Sequence, residues 1–194
     1  MRHNAPVQPL VFRSTVARVV AWIFVAFAAL NLVDVIIRGR GQSGQVAFAV
    51  LVAIVLIAYV LGLRPGVVAN SQQVQLRNPL RDVSVPWNAV TAIDSTDALR
   101  IHSGPAVFRS WAIAAGNRAR RRALGRQSAA GGSAAIREDM AGRTHADFVV
   151  DQLTQVWKSH RGNAAGAPQI SWSWPAIACL VAAGLLILGT VLLG

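Results

Sequence analysis

The chain has 194 residues, of which 54% are hydrophobic and only 14% charged, a balance too apolar for a small soluble domain and one that points to membrane segments. Its formal net charge of +11 rests on 18 arginines and one lysine, Lys158. The single cysteine, Cys179, excludes an intramolecular disulfide and a cysteine-based metal site, and the four histidines (His3, His102, His145, His160) show no ligand spacing.

Residues 1–15 read as a polar N-terminal tail. Two apolar runs follow, Val19–Ile37 and Val46–Leu63, and a third lies at Pro175–Leu193. Each is close to the roughly 20 residues that cross a bilayer as a helix. In hydrocarbon every backbone amide must find its partner within its own segment, so helix is the expected form. The first run continues past the small residues of "AFAA" to Ile37, which reads as an anchor rather than a cleaved leader. The short link "RGRGQSG" makes the first two runs an antiparallel hairpin over 16–63. Asp34 stands inside the first run, four residues before Arg38, a spacing that lets the two pair on one helix face near its end.

From Arg64 the pattern changes to short alternating segments: "GVVAN", "QVQLRN", "RDVSVPW", "VTAI", "ALRIH" and "AVFRSWAI". Strands this short, separated by turn signals such as Asn78-Pro79, predict an antiparallel sandwich or small barrel. Asp82, Asp94 and Asp97 are expected in turns, where carboxylates bond local backbone. Trp87 and Trp111 are expected in the core or facing the membrane. Residues 115–143 form a Gly-, Ala- and Ser-rich insertion carrying Arg118, Arg120, Arg121, Arg122 and Arg126. "THADFVVDQLTQVWKSH" then repeats its apolar positions at three- and four-residue steps, an amphipathic helix, with Thr144 and Asp147 as a weak capping box. A linker, 161–171, leads to the third span, 172–194. Trp172 and Trp174 sit where an interfacial aromatic belt belongs, and Pro175 suits the first helical turn. Ala178 and Ala182 offer small-residue spacing for close helix contact.

Strands closed by one C-terminal helix are a PH-like arrangement. The segments "RPGVVA", "VQLRNPLRDVSVPW" and "FRSWAI" resemble those of a family of small bacterial PH-domain membrane proteins of the high-GC Gram-positive type. The resemblance implies an α+β membrane protein: three transmembrane helices, with a PH-like β-barrel or sandwich and its C-terminal helix, residues 64–160, inserted between the second and third. The third span and the long basic insertion depart from that pattern.

No nucleophile, base and orienting group can be assembled from these residues, so no enzyme, cofactor, metal or small-molecule substrate is expected. Nucleic acid is not expected either, because the arginine run lacks interleaved aromatic platforms. With three spans, the tail and the 64–170 region share one side and hold 17 of the 19 cations, which places them in the cytoplasm, with the C-terminus outside the plasma membrane. The expected role is that of a membrane-anchored interaction module, an accessory or assembly component of a larger membrane complex with a protein partner. The alternative is a sensor of anionic membrane lipids, in which Arg118, Arg120, Arg121, Arg122 and Arg126 contact headgroups. Asp34 with Arg38 is the candidate intramembrane polar pair, and Trp172 with Trp174 the candidate interface anchors.

Overall fold

The computed structural model describes residues 9–39, 41–114, 145–162 and 166–193. The chain divides into two compact units: Met1–Phe12, Gly66–Arg77 and Val83–Ile170 form one, and Arg13–Pro65, Asn78–Asp82 and Ser171–Gly194 the other.

The first unit is built on two antiparallel sheets. Strands β1 (Leu10–Phe12), β2 (Gly66–Ala69), β3 (Gln73–Arg77), β4 (Arg81–Pro86) and β8 (Gln169–Trp172) lie in the order β1-β2-β3-β4-β8, and β5 (Ala92–Ser95), β6 (Ala98–Ser103) and β7 (Ala106–Ala114) in the order β5-β6-β7. The alternation foreseen in the sequence is the reason: Val74 and Leu76 of β3, and Val83 and Val85 of β4, point inward while their neighbours do not, as a pleated strand requires. Leu99 and Ile101 of β6 and Ala112 and Ile113 of β7 complete the inner layer. Helix α3 (His145–His160) covers it with Ala146, Val149 and Leu153, three- and four-residue steps along one face. Trp87, on a short 3₁₀ turn after β4, has no exposed surface. Its Nε1 donates to the Asn70 carbonyl at 2.7 Å, and its own carbonyl accepts from Trp157 Nε1 at 3.1 Å.

Two strands come from segments that read as tail and linker. Leu10, Val11 and Phe12 pair antiparallel with Ala69, Val68 and Val67, so both apolar runs of the hairpin lie in the connection between paired strands β1 and β2. β8 adds "QISW" beside β4. The acids also differ from expectation. Asp82 stands at the start of β4 and Asp94 within β5, leaving only Asp97 in a turn. Asp82 is held by Arg64, which follows the second apolar helix, and Asp94 by His102 of the neighbouring strand, as described below.

The second unit contains helices α1 (Thr15–Arg38), α2 (Gly41–Ala58), which continues as a π turn over Tyr59–Leu63, and α4 (Trp174–Leu193). All three are long and apolar enough to cross a membrane. Ser14 caps α1, its Oγ accepting the Ala17 N–H at 3.2 Å, a bond of about 1 kcal/mol in such positions. The hairpin link is tighter than its sequence suggests, because α2 starts at Gly41, whose φ of 69° favours glycine. Gly62 lets α2 pass close to α1: a Cβ there would sit 2.5 Å from Ala21 Cβ and 3.0 Å from the Ala17 carbonyl oxygen. Helix α4 packs on α2. Its buried small residues are Ala176 and Ala183, whereas Ala178 and Ala182 are exposed; the close contact uses a seven-residue step on a different face from the expected one.

Candidate interaction and membrane-interface sites

Each candidate residue has a definite place, except that Arg118, Arg120, Arg121, Arg122 and Arg126, together with Thr144, lie outside the described residues. Asp34 and Arg38 form the expected ion pair, Nε to Oδ1 at 3.2 Å, in the last turns of α1 with both side chains largely exposed. Asn31, one turn earlier, donates from Nδ2 to the Phe27 carbonyl at 2.7 Å and so satisfies itself within its own helix. Trp172 ends β8 and Trp174 begins α4, and both are exposed.

The turn Asn78–Asp82 holds a cluster that spacing alone could not reveal. Arg64 follows the π turn closing α2. One of its terminal nitrogens donates to both oxygens of Asp82, at 2.7 and 2.8 Å, and the other to the carbonyls of Asn78 and Pro79. The pair is partly buried, with side-chain exposures of 11% and 23%. Ser173 N–H donates to the Leu80 carbonyl at 2.9 Å, and Ser171 Oγ reaches the Asp82 carbonyl at 3.4 Å. Arg81 lies over the Trp172 ring, 5.9 Å from its centroid. "RP" and "RNPLRD", quoted for the family resemblance, thus meet through the planar fork of Arg64, which matches a carboxylate and adjacent carbonyls. Farther into the helices, Ala17, Val20, Ala21, Phe24, Ile54 and Ile57 border an apolar groove of about 380 Å³.

The outer side of β5-β6-β7 carries a second, polar group. His102 Nε2 meets Asp94 Oδ2, a pairing their eight-residue separation hides and the β5–β6 register creates by setting Ala92 opposite His102. Asp97 receives Arg100, three residues on, and Arg109 from β7 at 2.8 Å. Asp147 of α3 accepts from Ser95 Oγ at 2.6 Å. Burial opposes the charge on Asp94, but hydrogen bonds from His102 and Thr96, with attraction to the imidazole, outweigh it and hold the carboxyl below its ordinary 3.8. Asp97 is lowered in the same way: desolvation is exceeded by hydrogen bonding to Arg100 and attraction to Arg100 and Arg109.

A carboxyl depressed by folding contributes stability that is fully present above its ordinary value and disappears as pH falls through the folded one. The first unit should therefore keep the full Asp94 contribution at neutral pH and lose it only as pH falls below about 3.8. In a His102→Ala variant the Asp94 carboxyl should titrate at higher pH, closer to ordinary, and a carbon-detected NMR titration of that carboxyl checks it. An unchanged titration would show that Thr96 alone sets its position.

Beside this polar group, β7 presents Val107, Arg109 and Trp111 outward at two-residue steps, with Val107 and Trp111 51% and 64% exposed. Trp111 thus separates from Trp87: one tryptophan fills the core, and the other stands on the surface. Phe148 of α3 is exposed as well. No curated protein and no solved structure matches the chain. Residues 64–145, which run from the arginine of the turn cluster through β2–β7 to the first residue of α3, match the family model of the bacterial PH domain (bPH_6).

Proposed function

We propose that this chain is a non-enzymatic, membrane-anchored PH-like interaction module that serves as an accessory or assembly component of a larger membrane complex. The observation that carries the reading is the outward face of β7, where Val107 and Trp111 flank Arg109. Exposed aromatics next to arginine are the side chains that dominate protein–protein binding energy, and PH-type sheets commonly take partner segments along a strand. In this reading the tail and the PH-like domain are cytoplasmic and the C-terminus lies outside the plasma membrane. The pairing of β1 with β2 supports it, since strands on either side of a two-helix hairpin must share one side of the bilayer. The charge distribution supports it too. The second reading, lipid sensing through Arg118–Arg126, draws on residues outside the described ones, and no described geometry favours it.

The test is purification of the tagged protein from its own membranes in mild detergent, followed by a native gel and mass spectrometry of the band. The expected result is co-migration with a stoichiometric set of larger membrane subunits, weakened at least tenfold by Trp111→Ala, as for a residue contributing about 2 kcal/mol. A protein that runs alone or as a homo-oligomer overturns the accessory reading. Co-migration untouched by Trp111→Ala moves the docking surface away from β7.

A further inference from the structure

One end of the helical unit gathers cations that its acids do not balance. Gly62, near the end of α2, abuts Ala17 and Ala21 in the first turns of α1. Arg64 reaches the Asn78–Asp82 turn, and that turn receives the Ser173 N–H just before α4. The start of α1, the finish of α2 and the start of α4 are therefore neighbours. Arg13, Arg18, Arg64 and Arg81 stand there, and Asp82 is taken by Arg64. At the opposite end Arg38 is answered by Asp34.

Arg81 is the most specific of these groups. It is exposed, it rests on Trp172, and among the described residues no carboxylate is paired with it. Around it Leu80, Trp172 and Trp174 expose 39%, 59% and 75% of their surface. Three large exposed apolar groups fit poorly in bulk water, even beside a guanidinium that water solvates. They fit well at the depth where a span ends, with indoles among the headgroups and a cation beside phosphate. The guanidinium fork also matches the two unesterified oxygens of a phosphodiester.

We propose that Arg81, stacked on Trp172 and flanked by Leu80 and Trp174, holds the phosphodiester of an anionic phospholipid in the leaflet that the N-terminal ends of α1 and α4 face. Arg13 and Arg18 add to the attraction without contacting that phosphate. The site lies in the second unit, at the first residue of β4 and the last of β8, and does not depend on the docking face of β7. Each arginine near a charged surface contributes about 1 kcal/mol, so removing Arg81 should lower retention about fivefold.

The experiment uses the full chain in nanodiscs of phosphatidylcholine with or without phosphatidylglycerol, released into native mass spectrometry. The wild type should retain phosphatidylglycerol in preference to phosphatidylcholine. Arg81→Ala should retain about fivefold less, and Arg81→Lys most of what the wild type does. Arg81→Gln, which keeps the aliphatic stem over Trp172, serves if the alanine variant misfolds, and should lose the lipid equally. Equal retention by wild type and Arg81→Gln overturns the proposal. So does displacement of the lipid by glycerol phosphate at matching concentration, which would make this a site for a soluble phosphate.

Discussion

Arg64→Ala should be among the most damaging single substitutions in the helical unit. It removes two bonds from one guanidinium nitrogen to Asp82 and two from the other to the Asn78 and Pro79 carbonyls, and it leaves the Asp82 carboxylate, largely covered in the intact chain, without that cation against it. Breaking one side of such a pair costs more than the pair contributes, about 3 kcal/mol or above, because the remaining charge keeps its desolvation without compensation. For a chain of this size that corresponds to a fall of roughly 6–12 °C in the unfolding midpoint. Size-exclusion profiles after heating in mild detergent measure it. Adding Asp82→Ala to Arg64→Ala should restore part of the loss, since no orphaned charge remains. A double variant no more stable than Arg64→Ala would mean that the carbonyl contacts, not the ion pair, hold the turn.

Trp87→Ala should have a comparable effect on the other unit. The side chain is fully buried among residues of both sheets and α3, and its Nε1 is bonded to Asn70. Truncating a buried tryptophan costs about 3–5 kcal/mol, and the freed Asn70 carbonyl adds to it. A small domain has little more than that to lose. The expected result is collapse of the near-ultraviolet circular dichroism while the three apolar helices keep their far-ultraviolet signal. Trp87→Phe should be milder, as it refills most of the volume and gives up mainly the Nε1 bond. If both variants behave alike, the hydrogen bond rather than packing dominates at this position.

Much of the architecture was readable because it repeats. Apolar stretches of membrane length marked α1, α2 and α4, period two marked β3 and β4, and period three to four marked α3. What escaped lacks a period. Leu10–Phe12 is three residues long and merges with the approach to the first span, so no alternation could separate strand from tail. "QISW" of β8 is exposed at every position and therefore shows no inward face. The functional groups were harder still. Arg64 and Asp82, or His102 and Asp94, become partners only once the strands are in register, and nothing local in the sequence signals pairing across a turn or a ladder. The lone acid in the first span was legible, since Asp34 and Arg38 are one helical turn apart. The two tryptophans of the domain illustrate the limit: period two could mark β7 as a strand but not which of its faces turns inward, and only the fold separates buried Trp87 from exposed Trp111.

The place of the hairpin between β1 and β2 also constrains how the protein is made. The second strand leaves the ribosome only after both helices of the hairpin, so the ladder Leu10–Phe12 with Val67–Ala69 cannot close during synthesis of either segment alone. Were α1 inserted without α2, the two strands would emerge in different compartments and could never meet. Under the proposed membrane arrangement, a finished sheet would be a record of correct translocation, and an orphaned β2 with its open edge would be the form that quality-control proteases encounter when insertion fails.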